Sequence, residues 1–75
     1  MKKPVDSEII FYAFRYALGR KTYAVHDVSD YIVKHWKDIH PREQEAMKVE
    51  IEKAIALGEA GMAVDELAWQ RILEL

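Results

Sequence analysis

The chain has 75 residues, of which 51% are hydrophobic and 32% are charged, with no cysteine and a formal net charge of −2. This composition is typical of one small globular domain, and it excludes disulfides and cysteine-based zinc sites. It also excludes a strongly basic nucleic-acid-binding domain and any apolar run of the roughly 20 residues that a bilayer-spanning helix needs. The sequence predicts no signal peptide and no membrane association, and we expect a cytoplasmic protein.

The charges are unevenly distributed along the chain. Residues 1–37 contain seven Lys and Arg against four Asp and Glu, whereas residues 38–75 contain four against nine. Such asymmetry favours antiparallel self-contact or orients a charged partner. A core of this size rarely supplies more than about 3–5 kcal/mol of net stability without additional stabilisation, such as disulfides or oligomerisation. Because the chain has no cysteine to form a disulfide, we expect it to be stabilised as a homo-oligomer.

The first predicted helix begins after Asp6 or Ser7, either of which suits an N-cap, and runs to about Leu18. Gly19 follows because glycine accepts the left-handed conformation that ends helices. Its core-facing stripe repeats at helical spacing and comprises Ile10, Phe14, Ala17 and Leu18. Arg15 is the only charge among residues 9–18, so the helix is apolar almost all the way round, whereas one core needs a stripe only about 100° wide. We therefore predict that this helix mediates self-association through Phe11, Tyr12 and Tyr16.

The second predicted helix runs from Tyr23, with Thr22 as N-cap, to about Lys37. Its apolar residues recur at spacings of three and four, as in an amphipathic helix: Val25, Val28, Ile32, Trp36 and Ile39. Trp36 and, further along the chain, Trp69 fall on apolar faces. They are expected to anchor the core, with an interface hot spot as the alternative role.

The third predicted helix begins at Pro41, since proline suits the first helical position, and ends at about Leu57, before Gly58. One face of this helix is expected to consist of Gln44, Met47, Ile51, Ala54 and Ile55. His40, just before the proline, is expected to help cap it.

A fourth helix is predicted from Glu66 to about Glu74, with Asp65 as its cap. Its apolar contacts are expected from Leu67, Trp69, Ile72 and Leu73. No segment alternates with period two long enough to predict a strand. The predicted fold class is therefore all-α, with residues 1–75 forming a single helical domain, a small antiparallel bundle of about four short helices.

The turn after the first helix concentrates basic and aromatic residues. Arg20 and Lys21 lie where a helix begins, and cations beside free backbone N–H groups form a generic anion site. The predicted residues for binding an anion or a partner are Arg15, Tyr16, Arg20, Lys21 and Tyr23. The alternative is structural: both arginines bond helix C-terminal carbonyls or pair with the acidic half of the chain, and the tyrosines pack with their hydroxyls in water.

No motif predicts catalytic residues, a metal site or a cofactor. The segment Gly19-Arg20-Lys21-Thr22 lacks the upstream glycine and the preceding strand of a P-loop. His26 and His35 are nine residues apart and lie on opposite sides of one helix, which argues against a metal pair. Ser29 lies three residues after His26, so a Ser–His contact is sterically feasible. A bundle of 75 residues nevertheless has little room for a water-excluding cleft.

The segment Arg15-Tyr16-Ala17-Leu18-Gly19-Arg20 is the most distinctive part of the chain. Together with the surrounding Phe11 to Tyr23 and with Trp36, Gly58, Gly61, Asp65 and Trp69, it resembles a family of small proteins of phage and prophage type. The resemblance extends over most of the chain and implies no activity and no site residue. It implies only a context, because small phage proteins without catalytic motifs often bind and block a host factor, including host defence systems.

The sequence therefore predicts a non-enzymatic binding protein that engages a host protein or a phosphate-bearing ligand through the basic and aromatic turn. One alternative is a small DNA-binding regulator of helix-turn-helix type, with the second or third helix as reader. The negative net charge disfavours it, and so does the third helix, where four acidic residues outnumber three basic ones. Another is an assembly protein in which the basic turn meets the acidic face of a neighbouring subunit.

Overall fold

Four α-helices and one short 3-10 helix account for most of the computed structural model, which describes residues 6–20 and 24–75. The helices are α1 (Ser7–Ala17), α2 (Ala24–Lys34), α3 (Pro41–Ala56) and α4 (Ala63–Leu73), and the 3-10 helix Trp36–Asp38 lies between α2 and α3. These two ranges contain no strand, which confirms the predicted all-α bundle. In the same ranges, no helix combines the length and the apolar character that crossing a bilayer requires.

The boundaries of α1 follow from the residues at its two ends. The Asp6 carboxylate accepts hydrogen bonds from the backbone N–H groups of Glu8 and Ile9, at 3.0 and 3.2 Å, and so caps the N-terminus. At the other end Gly19 has a φ of +86°. A Cβ at Gly19 would lie 2.7 Å from the backbone oxygen of Glu59. The close approach of the two backbones therefore requires glycine at this turn.

The second helix is shorter than predicted. It ends at Lys34 rather than Lys37, and the chain tightens into the 3-10 turn before the proline that begins α3. The side-chain amide of Gln44 donates to the backbone oxygen of Trp36 at 2.6 Å, which ties this turn to α3. The turn places Ile39 in the core. The predicted N-cap Thr22 and the predicted first residue Tyr23 lie outside the described residues.

The third helix matches its prediction closely. The ring Nδ1 of His40 accepts a hydrogen bond from the Arg42 N–H at 3.0 Å, so the histidine is the predicted cap. The helix ends at Ala56, and Gly58 has a φ of +70° just beyond it. Met47 is among the fully buried residues of its inner face.

The fourth helix begins three residues earlier than predicted, at Ala63. The assignment of Asp65 as N-cap was wrong because its carboxylate reaches back one turn and accepts the Met62 N–H at 2.8 Å. An acid at this third helical position satisfies the cap N–H as in a capping box. Leu67 was also misassigned: it is 65% exposed. Since two residues turn a helix by about 200°, it faces away from the buried Trp69.

The core lies where the four helices meet. Helix α1 packs against α2 and α3, and α4 packs against the same two helices. The rings of Phe14 and Trp69 meet edge to face, with centroids 5.4 Å apart, and both side chains are fully buried. Trp69 is therefore the predicted core anchor, whereas Trp36 is only half-buried, with the Lys48 ammonium 5.7 Å from the centre of its ring. The other buried apolar residues are Ile10, Ala17, Val25, Ile32, Ile39, Met47, Ile51, Ala54, Ala60, Ala68 and Ile72.

Candidate binding surface

One side of α1 stays in solvent although most of it is apolar and aromatic. We call it the outer face and define it by Glu8, Ile9, Tyr12, Tyr16 and Arg20. Ile9 is 66% exposed, Tyr12 71% and Tyr16 69%, and the two charged residues are exposed at its ends. Exposed clusters of large apolar side chains mark interaction sites more often than single exposed residues do. The surplus apolar surface predicted from the sequence is therefore present, and it is concentrated on two tyrosines.

Helical spacing places four of these residues in one row. Glu8, Tyr12 and Tyr16 are four residues apart and so lie above one another on the helix surface. Arg20 lies beyond the end of the helix but continues the row, because the left-handed turn at Gly19 folds it back. Its Nε donates to the backbone oxygen of Tyr16 at 3.2 Å, and its guanidinium carbon lies 4.4 Å from the centre of the Tyr16 ring. This is a cation–π pair on the surface.

Arg15 points to a different part of the molecule. Its Nη1 lies 3.7 Å from Oε1 of Glu50 on α3, and its guanidinium carbon lies 5.9 Å from the centre of the Phe11 ring. Both arginines make the contacts of the alternative, structural role considered for them above. Arg15 pairs with the acidic half of the chain, and Arg20 bonds a C-terminal carbonyl of α1. Both nevertheless remain exposed.

The structure brings together only part of the predicted site. Tyr16 and Arg20 are in direct contact, and Tyr12 is the next residue along their row. Phe11, predicted to take part in self-association, is half-buried and packs against the core. Lys21 and Tyr23 lie outside the described residues.

Open grooves run along both sides of α1. The groove between α1 and α2 has a volume of about 430 Å³, and the one between α1 and α3 about 570 Å³. Both have mostly apolar walls, the first including Ile9, Ala13 and Tyr31 and the second Phe11 and Val49. The outer face is therefore the ridge between two shallow apolar depressions, and neither depression has the enclosed shape of a substrate cleft.

The residues considered for acid–base chemistry are engaged in the fold. The Ser29 hydroxyl is fully buried and donates to the backbone oxygen of His26 at 3.1 Å, as helical serines commonly do. The His26 ring Nε2 lies 3.3 Å from Oδ1 of Asp65, which links α2 to α4. The described part of the chain contains no cluster of His, Asp and Glu suited to a metal ion. The His26–Asp65 pair was not predicted from the sequence. The two residues are 39 positions apart, and no pattern in the sequence indicates that they are in contact.

A second exposed apolar patch, also absent from the sequence prediction, lies at the start of α4. Met62, Val64 and Leu67 are all more than half exposed. Apolar residues occur on both sides of α4, so the sequence pattern does not show which of them are buried. For this reason the patch could not be predicted. It has fewer aromatic and charged groups than the outer face of α1, and so offers less specific recognition.

Comparison of the chain with protein-family models, with curated proteins and with solved structures finds no match.

Proposed function

We propose that this chain is a non-enzymatic helical binding protein of the kind that blocks a host factor or a defence system in the cytoplasm. It docks an acidic or phosphate-bearing partner on the outer face of α1. The observation that supports this proposal is the exposed cation–π pair formed by Arg20 and Tyr16. The neighbouring Tyr12 extends the same surface by one helical turn.

The chemistry of this pair suits a carboxylate or a phosphate. A guanidinium carries five N–H donors in a planar fork, and the bond to the Tyr16 carbonyl uses the one at Nε. The two terminal NH₂ groups remain, which is the set that binds carboxylate or phosphate in bidentate fashion. The bond to the Tyr16 carbonyl and the contact with the tyrosine ring restrain the guanidinium before a partner arrives. Less side-chain freedom is then lost on binding.

Arg15 contributes less to this surface. Its separation of 3.7 Å from Glu50 and its exposure describe a surface ion pair, which typically contributes no more than about 1 kcal/mol. A partner with several acidic groups competes with Glu50 for Arg15 at modest cost. We therefore assign the primary contact to Arg20 and a supporting one to Arg15.

Two observations favour binding over catalysis or DNA recognition. The Ser29 hydroxyl bonds a backbone carbonyl rather than a base, so the one Ser–His candidate does not form a nucleophile pair. The exposed surface of α3, a candidate recognition helix, has no excess of basic charge, because Glu45 and Glu52 lie on it beside Arg42 and Lys53. These carboxylates repel a phosphate backbone.

The proposal is tested by affinity capture from the host with tagged protein, followed by binding of the captured partner in purified form. The variant Arg20→Gln removes the charge at the outer face, and Arg71→Gln removes another exposed charge, on α4, as the matched control. We expect loss of the partner with Arg20→Gln and Tyr16→Ser but not with Arg71→Gln, and weaker binding as salt rises. Equal capture by Arg20→Gln and the parent chain would show that the partner binds elsewhere or that there is none.

A further inference from the structure

The row of residues along the outer face has a chemical symmetry. Glu8 and Arg20 lie six residues before and after Phe14, and Tyr12 and Tyr16 lie two residues before and after it. The row thus reads acid, tyrosine, tyrosine, base from one end to the other. A surface that pairs with itself about a twofold axis needs this arrangement, because each residue must meet its complement on the other copy.

We propose that a second copy of this chain binds to the outer face, with the two α1 helices antiparallel about a twofold axis that crosses this face between Tyr12 and Tyr16. Glu8 then lies opposite the second copy's Arg20, and Tyr12 packs against the second copy's Tyr16. The inference rests on the proposed function in that both use the same face.

The charges choose between the two relative directions of the helices. An antiparallel pair joins each acidic end to a basic end, twice per dimer, and also opposes the helix macrodipoles favourably. A parallel pair places Glu8 against Glu8 and Arg20 against Arg20, which is repulsive. No basic group of the described residues forms an ion pair with Glu8, and no carboxylate among them pairs with Arg20. Within the described residues, neither charge is neutralised by an ion pair.

The available area predicts a weak but specific dimer. Tyr12 and Tyr16 are about 70% exposed, and since a buried aromatic side chain covers about 150–250 Å², four tyrosines offer roughly 400–700 Å². Ile9 and the small Ala13 beside them are also exposed and add to this area. The total approaches the roughly 1,000 Å² that a biological interface needs. We expect the dimer to form at micromolar to millimolar concentration.

Sedimentation equilibrium of charge-reversed variants tests the proposal up to about 1 mM, where a weak dimer is populated. The single variants Glu8→Arg and Arg20→Glu each place two pairs of like charges in the dimer, and each should weaken it about tenfold. The equimolar mixture of these two variants has only opposite charges at both contacts, as has the double variant Glu8→Arg/Arg20→Glu. Both should regain the dimer of the parent chain.

The remaining outcomes overturn the proposal. In a parallel dimer the parent chain and both single variants each have two like-charged pairs, and only the mixture of Glu8→Arg with Arg20→Glu has opposite charges at both contacts. A mixture that dimerises more strongly than the parent chain therefore indicates parallel helices. A dimer that survives both single variants and is not strengthened in their mixture uses another face, and Tyr12→Ser provides a second check that leaves the core intact, since Tyr12 is 71% exposed. The reversal Glu52→Arg on α3 is the control and should leave the dimer unchanged. A parent chain that stays monomeric refutes the dimer.

The experiment separates this inference from the proposed function. A monomeric parent chain that still captures an acidic partner through Arg20 refutes the dimer and leaves the binding function in place. If both hold, the second copy's Glu8 and the partner's acidic group compete for Arg20. Addition of the purified partner should then convert dimer into a complex with one copy of this chain.

Discussion

Replacing Gly19 with alanine is expected to destabilise the fold by about 2–5 kcal/mol. The residue has a φ of +86°, and a left-handed conformation costs an L-residue with a side chain about 1–2 kcal/mol. The new Cβ would also lie 2.7 Å from the backbone oxygen of Glu59. Because a backbone carbonyl has no rotamer in which to avoid the contact, the linker before α4 must move. Such overpacking typically costs about 1–3 kcal/mol.

Gly58→Ala is the matched control for this prediction. Gly58 also has a positive φ, of +70°, but a Cβ there meets nothing within 4 Å. Alanine gives the unfolded chain less conformational entropy than glycine does. This effect is the same in both variants, so it cancels when their free energies of unfolding are compared. We expect Gly58→Ala to cost about 1 kcal/mol and Gly19→Ala clearly more, measured by urea unfolding followed by circular dichroism. Each kcal/mol should appear as a fall in Tm of about 4–8 °C for a domain of this size. Equal losses in the two variants would refute the packing of Gly19 against Glu59.

Four further substitutions test the surface, the core and two polar contacts, with chemical denaturation as the measurement. Tyr12→Ala should change stability by less than about 0.5 kcal/mol because Tyr12 is 71% exposed. Phe14→Ala should cost about 3–5 kcal/mol because Phe14 is fully buried. Similar losses in the two variants would contradict the orientation of α1. Asp65→Ala removes both the acceptor for the α4 cap and the ion-pair partner on α2, and should cost about 1–3 kcal/mol; a neutral effect would show that neither contact matters. Asp30→Ala breaks an exposed pair with Arg71 of 3.0 Å, and a loss above about 1 kcal/mol would be unexpected for such a pair.

The ends of α1 and α3 were predictable because local chemistry determines them. A capping Asp6, a proline at position 41 and glycines at 19 and 58 specify a helix start or stop within one turn of the chain. The structure places a helix boundary within two residues of each. The exposure of the outer face was also predictable, because a helix that is apolar all round must leave one side outside a small core.

Other features depend on parts of the chain that are far apart in sequence. The late start predicted for α4 arose because Asp65 suits both an N-cap and the third helical position, and only the backbone shows which one applies. The turn that follows α2 is held by the Gln44 bond to the Trp36 carbonyl, a contact that the pattern of apolar residues does not reveal. The His26–Asp65 pair and the contact of Arg15 with Glu50 each join two helices, and sequence spacing contains no information about such pairs.

Site-specific photo-crosslinking tests the central claim most directly, namely that the outer face of α1 is where this chain meets its partners. A benzophenone amino acid is placed at Tyr12, and in a parallel sample at the similarly exposed Leu67 on α4. We predict covalent adducts from position 12, with a second copy or with an acidic partner, that disappear with Arg20→Glu, and none from position 67. Absence of adducts at position 12, or the same adducts from position 67, would contradict the account.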